Sequence, residues 1–303
     1  MLSNEGYVTS SDGVRLFYRK FGSGPNAVII PNAVHMVDSF KHLTADCTLI
    51  FFDLRNRGAS DPVGDISRLN RGVHHDVDDI DTIRQHFGID RVNLIGHSYV
   101  GLTVILYAMK YPDHVRRIVQ IGPVQRHAAT QYPAHLTGAD ATLADFMSQL
   151  AKLQMEPPPE DSRQGCRKFW ELVRMLYVAN PADAAKIHWS PCDFPNEVGF
   201  MKHWIENLLP SIQALDLTPD DLSKVEAPVL TIHGTRDRQA PYGSGREWSM
   251  ILPDARLLTV ENAAHVPWIE APELVFGSIE TFFDGAWPPE SEQVKSLDPA
   301  KKR

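Results

Sequence analysis

The sequence has few cysteines, no excess of positive charge and no long apolar run. Its 303 residues include three cysteines, which lie far apart and without the spacing of a metal site: Cys47, Cys166 and Cys192. We therefore expect reduced thiols in a cytoplasmic protein. The net charge of −8 argues against nucleic acid or an anionic membrane as the partner.

Membrane and secretion signals are also missing from the sequence. No stretch approaches the roughly 18 consecutive apolar residues of a membrane span. The N-terminal stretch MLSNEGYVTSSDG has neither the basic start nor the apolar core of a signal peptide. The histidines, the pair His74-His75 included, match no metal-ligand motif. We expect no membrane insertion, no metal and no cofactor.

Short apolar runs alternate with helical patterns in the first 124 residues. The predicted elements are strands at 13–22, 26–31, 47–53, 92–95 and 115–121 and helices at 38–43, 71–87 and around 99–111. The runs at 26–31 and 47–53 are continuously apolar, as is typical of strands buried on both faces. This alternation predicts an α/β fold with a largely parallel sheet.

The alternation stops between residues 125 and 224, where no strand is predicted. Helical patterns there cover 142–153, 163–178 and 197–209, and strands resume at 227–233 and 256–260, with helices at 245–252 and 273–283. We interpret residues 1–124 and 225–287 as the core domain and residues 125–224 as an inserted helical lid, or cap. The tail at 288–303 is rich in Pro, Glu and Lys and is expected to be loosely ordered.

A serine stands at the turn between the predicted strand at 92–95 and the helix that follows it. The stretch Gly96-His97-Ser98-Tyr99-Val100-Gly101 matches the strand–turn–helix nucleophile elbow, G-x-S-x-G, except that valine stands at the second glycine position and glycine comes one residue later. Small residues let the strand and the helix approach each other closely across such a strained turn. The alternative is a serine that only caps a helix after a buried strand.

Two further candidate residues follow later strands. Asp237 comes after the strand at 227–233 and His265 after the strand at 256–260, so the chain order is Ser, Asp, His. A serine hydroxyl becomes an effective nucleophile when a base takes its proton, and a carboxylate orients that base. Alone, Asp237 would be explained as a turn residue or as an ion-pair partner of Arg236 or Arg238. Together with Ser98 and His265 it predicts a catalytic triad.

Several stretches resemble the α/β-hydrolase superfamily over roughly residues 12–285. They are Asp53-Leu-Arg-Asn-Arg-Gly-Ala-Ser-Asp61, the elbow, His233-Gly-Thr-Arg-Asp237 with Pro241, and Ala264-His265. The stretch from Asp78 to Arg91 is similar to the proline iminopeptidase branch, and related esterases and lactonases carry similar stretches. The resemblance implies an α/β-hydrolase fold, a mostly parallel sheet flanked by helices with an inserted helical lid, and serine hydrolase activity.

The resemblance also implies an oxyanion hole made of two backbone N–H groups. One belongs to Tyr99, the residue after the proposed nucleophile, and the other to Ala33. The loop around Ala33 reads Pro31-Asn32-Ala33-Val34, where the family usually has His-Gly followed by a small residue. Proline has no N–H to donate, and asparagine, like glycine, tolerates unusual backbone angles.

The aromatic residues of the insertion are expected mainly in its own core. A lid over a hydrolase site commonly supplies apolar walls, so four of them are candidates for an acyl pocket: Trp170, Tyr177, Phe200 and Trp204. Glu171, Glu197 and Glu206 are expected on solvated faces, although in an aminopeptidase one of them would pair with the α-amino group of the substrate.

Three hypotheses follow for the activity. The first is a serine hydrolase that cleaves a small carboxylic ester, or a related small-molecule acyl compound, through an acyl-enzyme on Ser98. The second is an aminopeptidase of the proline iminopeptidase type. The third is a non-catalytic ligand-binding protein that keeps the fold, which the departures at Val100 and at Pro31-Asn32 would fit. Dehalogenase or epoxide hydrolase chemistry is not expected. By the same resemblance, the family members with those activities carry an aspartate where this chain has Ser98.

Overall fold

The described strands form one sheet in the computed structural model, which describes residues 4–43, 47–157 and 159–298. They are β1 (Asn4–Thr9), β2 (Arg15–Phe21), β3 (Asn26–Pro31), β4 (Cys47–Phe52), β5 (Val92–His97), β6 (Val115–Ile121), β7 (Val229–Gly234) and β8 (Ala255–Val260). Their order across the sheet is β1-β2-β4-β3-β5-β6-β7-β8. The pairs β1–β2 and β2–β4 are antiparallel and the others are parallel. The predicted α/β fold with a mostly parallel sheet is therefore confirmed, and β1 is a strand that the sequence pattern did not predict.

The α-helices are numbered in chain order. They are α1 (Ala33–Phe40), α2 (Val73–His86), α3 (Tyr99–Lys110), α4 (Ala141–Met155), α5 (Ser162–Val173), α6 (Pro195–Val198), α7 (Phe200–His203), α8 (Leu209–Gln213), α9 (Pro219–Leu222), α10 (Tyr242–Ile251), α11 (Pro267–Glu270) and α12 (Pro272–Phe283). Within the described ranges, no helix has both the length and the apolar character needed to cross a bilayer.

Helices cover both faces of the sheet. One face packs against α2, α3 and α10, which contribute fully buried side chains such as Ile80, Val104 and Trp248. The other face packs against α1 and α12, where Met36 and Phe282 are fully buried. Because both faces are covered, the central strands consist of continuous apolar runs, as the sequence pattern indicated.

The segment at 125–224, called the helical insertion from here on, contains helices and turns and no strand in its described part. The helices predicted at 142–153 and 163–178 are α4 and α5, and the second ends earlier, at Val173. The helix predicted at 197–209 is a series of short helices with a π-helical turn, Trp204–Leu208, just before α8. Pro210 has no N–H for the carbonyl four residues back, so the regular hydrogen-bond ladder cannot continue through it.

Cys166 on α5 and Cys192 in a 3₁₀ turn form a disulfide within the helical insertion. The expectation of reduced thiols is wrong for these two residues. They are 26 positions apart, and only the packing of α5 against that turn brings their Cα atoms to 5.8 Å. The expectation of a cytoplasmic protein rested on reduced thiols, so it loses this support.

The expectation of a loosely ordered tail at 288–303 does not hold for residues 288–298, while residues 299–303 lie outside the described residues. Glu292 pairs with Leu257 on β8 through two backbone hydrogen bonds of 2.8 and 2.9 Å. Arg246 donates to the carbonyl oxygens of Ser296 and Leu297, each at 2.8 Å. This segment covers part of the outer edge of β8, an edge that would otherwise present unpaired backbone groups.

Candidate active site

Loops from several parallel strands meet at their carboxyl ends. β3 and β5 are neighbours, but β4 lies on the far side of β3 and β6 on the far side of β5. Such a change of direction leaves a crevice outside the carboxyl ends of the two strands, where ligands bind in sheets of this kind. Asn32 follows β3 and Ser98 follows β5, while Asp237 and His265 come after β7 and β8.

Ser98 occupies the sharp turn between β5 and α3. Its backbone angles are φ 59° and ψ −130°, which residues other than glycine rarely adopt. Its N–H donates to the carbonyl of Ile121 on β6 at 2.9 Å. A Cβ at Gly96 would lie 2.5 Å from the carbonyl oxygen of Val100, so only glycine fits there. The turn leaves Ser98 partly exposed on the wall of a cavity.

The structure explains why valine is accepted two residues after Ser98. The Val100 side chain is fully buried in the core between the sheet and α3. The close approach falls instead on Gly101, where a Cβ would lie 3.1 Å from the Cβ of Pro123. The tight contact therefore falls one position later than in the usual motif, and glycine avoids it there.

Asp237 and His265 form a buried hydrogen-bonded pair. The distance from His265 Nδ1 to Asp237 Oδ2 is 2.8 Å, and the two side chains are 2% and 0% exposed. Asp237 Oδ1 accepts hydrogen bonds from the backbone N–H groups of Gln239 and Ala240 at 2.8 and 2.9 Å. The alternative partners of Asp237 are engaged elsewhere, because Arg236 and Arg238 both pair with Asp140.

Asp237 stays ionised in its buried position. Burial raises the pKa of this carboxyl group, but the charge of His265 and hydrogen bonds from His233 and His265 outweigh burial and hold the pKa well below its usual value. A carboxylate only accepts hydrogen bonds, so His265 carries its proton on Nδ1 and presents Nε2 as the basic nitrogen. Within the described residues, no hydrogen bond joins the Ser98 hydroxyl to His265. Contacts of this type often close only when substrate binds.

Packing and backbone hydrogen bonds fix the His265 loop. The His97 ring lies 4.5 Å and the Tyr177 ring 5.3 Å from the His265 ring, measured between centroids. His97 Nε2 also donates to the carbonyl oxygen of His265 at 2.9 Å, so His97 helps to hold this loop. Glu270 accepts from the N–H groups of Ala264 and Ala179 at 2.6 and 2.7 Å and so ties this loop to the helical insertion.

The two predicted oxyanion donors begin helices that start at the crevice. Ala33 is the first residue of α1, and Tyr99 is the first residue of α3. Amides in the first turn of a helix have no acceptor within the helix, and they favour a negative charge nearby. Asn32 has left-handed backbone angles, φ 73° and ψ 54°. This conformation, which asparagine tolerates, lets α1 begin at Ala33, five residues before the predicted start.

A cavity of about 520 Å³ opens beside Ser98. Most of its wall is apolar and comes from the helical insertion: Phe146, Phe169, Trp170, Val173, Leu176, Tyr177, Val198, Phe200, Met201 and Trp204. The four residues predicted as pocket candidates are all among them. Volume and lining are those of a site for a small, largely apolar molecule.

Two charged residues on the cavity wall form a buried ion pair. Arg57 Nε, in the loop after β4, lies 2.6 Å from Glu197 Oε1 on α6, and the side chains are 3% and 1% exposed. Burial raises the pKa of Glu197, but the charge of Arg57 outweighs it and lowers the pKa. Burial likewise lowers the pKa of Arg57, and Glu197 more than reverses this. Both groups are therefore charged at neutral pH.

The solvated position expected for Glu197 is wrong, because α6 docks on a loop 140 residues earlier in the chain. Glu171 and Glu206 do lie on exposed faces, where they pair with Arg174 and Lys202. Sequence reasoning missed Arg57, and its place inside the stretch 53–61 was the only signal available. No cluster of three or more His, Cys, Asp or Glu side chains that could hold a metal occurs in the described part of the chain.

Comparisons with known proteins agree with this fold. Residues 30–272 match the model of a family described as alpha/beta hydrolase fold. A bifunctional esterase/perhydrolase from Acinetobacter calcoaceticus is 24% identical over 287 residues, which cover 88% of this chain and 95% of that protein. A proline iminopeptidase from Heyndrickxia coagulans is 22% identical over 303 residues, covering 92% and 98%. Among solved structures, an esterase from Exiguobacterium antarcticum superposes with a TM-score of 0.71 at 16% identity, covering 93% of this chain and all of that one.

The family match includes the loops that carry Asn32, Ser98, Asp237 and His265. Relatives that are esterases and other hydrolases align with this chain over most of its length. The chain belongs to the α/β-hydrolase fold family and is a hydrolase.

Proposed function

We propose that this hydrolase cleaves small carboxylic esters with an uncharged, apolar acyl group, through an acyl-enzyme on Ser98. The observation that carries the proposal is the position of Ser98. It lies in a strained turn that opens into an apolar cavity, at the same end of the sheet as the buried Asp237–His265 pair. The preference for uncharged acyl groups follows from the cavity wall, because the charges of Arg57 and Glu197 cancel each other.

The proposed mechanism assigns one task to each group. The Ser98 hydroxyl attacks the ester carbonyl carbon while His265 Nε2 takes its proton, and Asp237 stabilises the imidazolium that forms. The N–H groups of Ala33 and Tyr99 hold the negative oxygen of the tetrahedral intermediate. His265 then gives the proton to the leaving alcohol. Water, activated by His265, attacks the acyl-enzyme, and the acid is released with Ser98 restored.

The test is the initial rate on p-nitrophenyl esters of increasing acyl length, with wild type, Ser98→Ala and Ser148→Ala measured together. Ser148 is an exposed serine on α4 and serves as the matched control. We expect Ser98→Ala to lose at least about 1,000-fold in kcat and Ser148→Ala to keep wild-type rates. A fluorophosphonate probe should label the wild type and not Ser98→Ala. Undiminished ester hydrolysis by Ser98→Ala would contradict the mechanism, and an unlabelled, inactive wild type would favour a ligand-binding protein.

An aminopeptidase is the second candidate, and Glu197 is the observation that favours it. Its carboxylate lies on the cavity wall, and among the described residues no hydrogen bond is made to its Oε2 atom. An α-ammonium group of a substrate would suit that oxygen. Prolyl and alanyl p-nitroanilides test this candidate, with the N-acetylated anilides as controls. Turnover of the free-amine anilides alone would support a peptidase, and turnover of esters alone would exclude it.

A further inference from the structure

Arg57 joins the starts of the two helices that carry the proposed oxyanion donors. Its Nη1 atom donates to the hydroxyl of Tyr99 at 3.4 Å. Its Nη2 atom donates to Asn32 Oδ1 at 3.5 Å and to His35 Nε2 at 3.4 Å. Asn32 and His35 belong to the start of α1, and Tyr99 is the first residue of α3. Each contact is long, but all of them are made by one rigid, planar group, so together they link the two helix starts.

The helical insertion holds Arg57 from the other side. Glu197 accepts from Nε at 2.6 Å, and the Phe200 ring stacks on the guanidinium group at 3.7 Å. Asn196 Nδ2 donates to the carbonyl oxygens of Gly58 and Ser60 at 3.2 and 2.6 Å, which ties α6 to the loop that carries Arg57. All three nitrogen atoms of Arg57 therefore have partners, and its orientation depends on the insertion.

We propose that Arg57 is a positioning residue for the oxyanion hole and that Glu197, which the helical insertion supplies, holds Arg57 in place. The inference rests on the proposed function. An oxyanion donor is effective only when it is aimed at the place where negative charge develops, and misplacement by about 1 Å can cost about 100-fold in rate. Asn32 needs such support, because its left-handed backbone determines where the Ala33 amide points.

The experiment separates positioning from stability by replacing the pair in two ways. The single variants Arg57→Met and Glu197→Met each leave one unpaired buried charge, so we expect a lower Tm. The double variant Arg57→Met/Glu197→Met leaves none, and we expect most of the Tm to return, because apolar residues commonly substitute well for a buried ion pair. Arg57→Lys keeps a charge for Glu197 but has no planar fork to reach Asn32 and Tyr99 together.

Activity on the best p-nitrophenyl ester is the second readout. We expect the double variant and Arg57→Lys to lose about 10- to 100-fold in kcat, with KM changed by less than about threefold. A trifluoromethyl ketone, which forms a tetrahedral adduct with a serine, should bind more weakly by about the same factor as kcat/KM falls. The control is the double variant Arg84→Met/Asp81→Met, which removes another largely buried ion pair, one that does not line the cavity. Its kcat should stay within about twofold of wild type.

Two results would overturn the inference. The first is a double variant at Arg57 and Glu197 that recovers both Tm and kcat, because the pair would then be structural only. The second is wild-type kcat in Arg57→Lys. Failure of the proposed function looks different, since a wild type that neither hydrolyses esters nor reacts with a fluorophosphonate would remove that function and this inference with it.

Discussion

Asp76 on α2 is a buried carboxyl group that makes stability depend on pH. Its side chain is almost completely buried, and within the described residues its Oδ2 atom has no hydrogen-bond partner. Burial, followed by the charge of Asp79, raises its pKa from 3.8 to about 8, and Arg55 and Arg57 offset this only in part. At neutral pH the folded protein therefore holds a proton here that the unfolded chain has released.

The sign and size of the effect follow from this difference in proton binding. Between about pH 4 and pH 8 the folded state binds more protons at Asp76 than the unfolded state does, so the free energy of unfolding falls as pH rises. The slope is about 1.4 kcal/mol per pH unit at most. Asp76→Asn has no titrating group and loses this slope. We expect its stability relative to wild type to rise by up to about 3 kcal/mol between pH 5 and pH 7.

Urea unfolding of the wild type and of Asp76→Asn at pH 5, 6, 7 and 8 measures this slope. Since only the change with pH is compared, a constant effect of the new amide on the free energy of unfolding does not alter the result. Asp78→Asn is the matched control on the same helix. Burial raises the pKa of Asp78, but hydrogen bonds from Lys110 and Arg71 outweigh burial and lower it. Its contribution is therefore lost only as the solution becomes acidic, and its difference from wild type should be flat between pH 5 and pH 8. A flat difference for Asp76→Asn would refute the reasoning.

Three further predictions concern the candidate site and the helical insertion. Asp237→Asn should lower kcat by about 10³- to 10⁴-fold with little change in KM, because the amide no longer fixes the His265 tautomer. Ester kinetics at pH 7 to 8 test this, and a loss of kcat below about tenfold would contradict it. Trp170→Ala removes a ring that packs on Tyr177 and His35 at the cavity wall, so the best acyl length should increase, whereas Trp287→Ala, outside the cavity, should leave it unchanged. Cys166→Ser/Cys192→Ser should lose about 3 kcal/mol of stability. Reductant should lower the Tm of wild type but not the Tm of this variant. Equal Tm values for the two proteins without reductant would argue against a stabilising disulfide.

The local pattern of apolar and polar residues was sufficient to predict the strands and helices that carry the candidate site. The central strands are buried on both faces, so they appear as short apolar runs, and the residues after them must lie at their carboxyl ends. Ser98, Asp237 and His265 each follow such a run, so the sequence pattern alone identifies them as candidates. The oxyanion loop depended on resemblance, since nothing local indicates that Asn32 adopts left-handed backbone angles and starts α1 at Ala33.

Pairing between distant segments could not be predicted in the same way. β1 is largely polar and mostly exposed, and its pairing with β2 is what makes it a strand. The disulfide between Cys166 and Cys192 needs the packing of α5 against a short turn. The tail covers β8 because Glu292 continues the backbone pairing at that edge. In each case tertiary packing determines the partner, and the spacing of residues in the sequence does not indicate which partner it is.

The ion pair of Arg57 and Glu197 is the most informative of these long-range contacts. Two buried opposite charges add little net stability compared with apolar side chains of similar size, because removing them from water offsets most of their attraction. Stability alone therefore gives little reason for this pair. The position of the pair gives two reasons. The opposite charges cancel, which keeps the cavity suitable for an uncharged acyl group, and the guanidinium group of Arg57 spans the starts of α1 and α3. A substrate α-ammonium group would instead use Glu197 Oε2, because Arg57 and Gly58 both donate to Oε1, so the p-nitroanilide assay decides between ester and peptide hydrolysis.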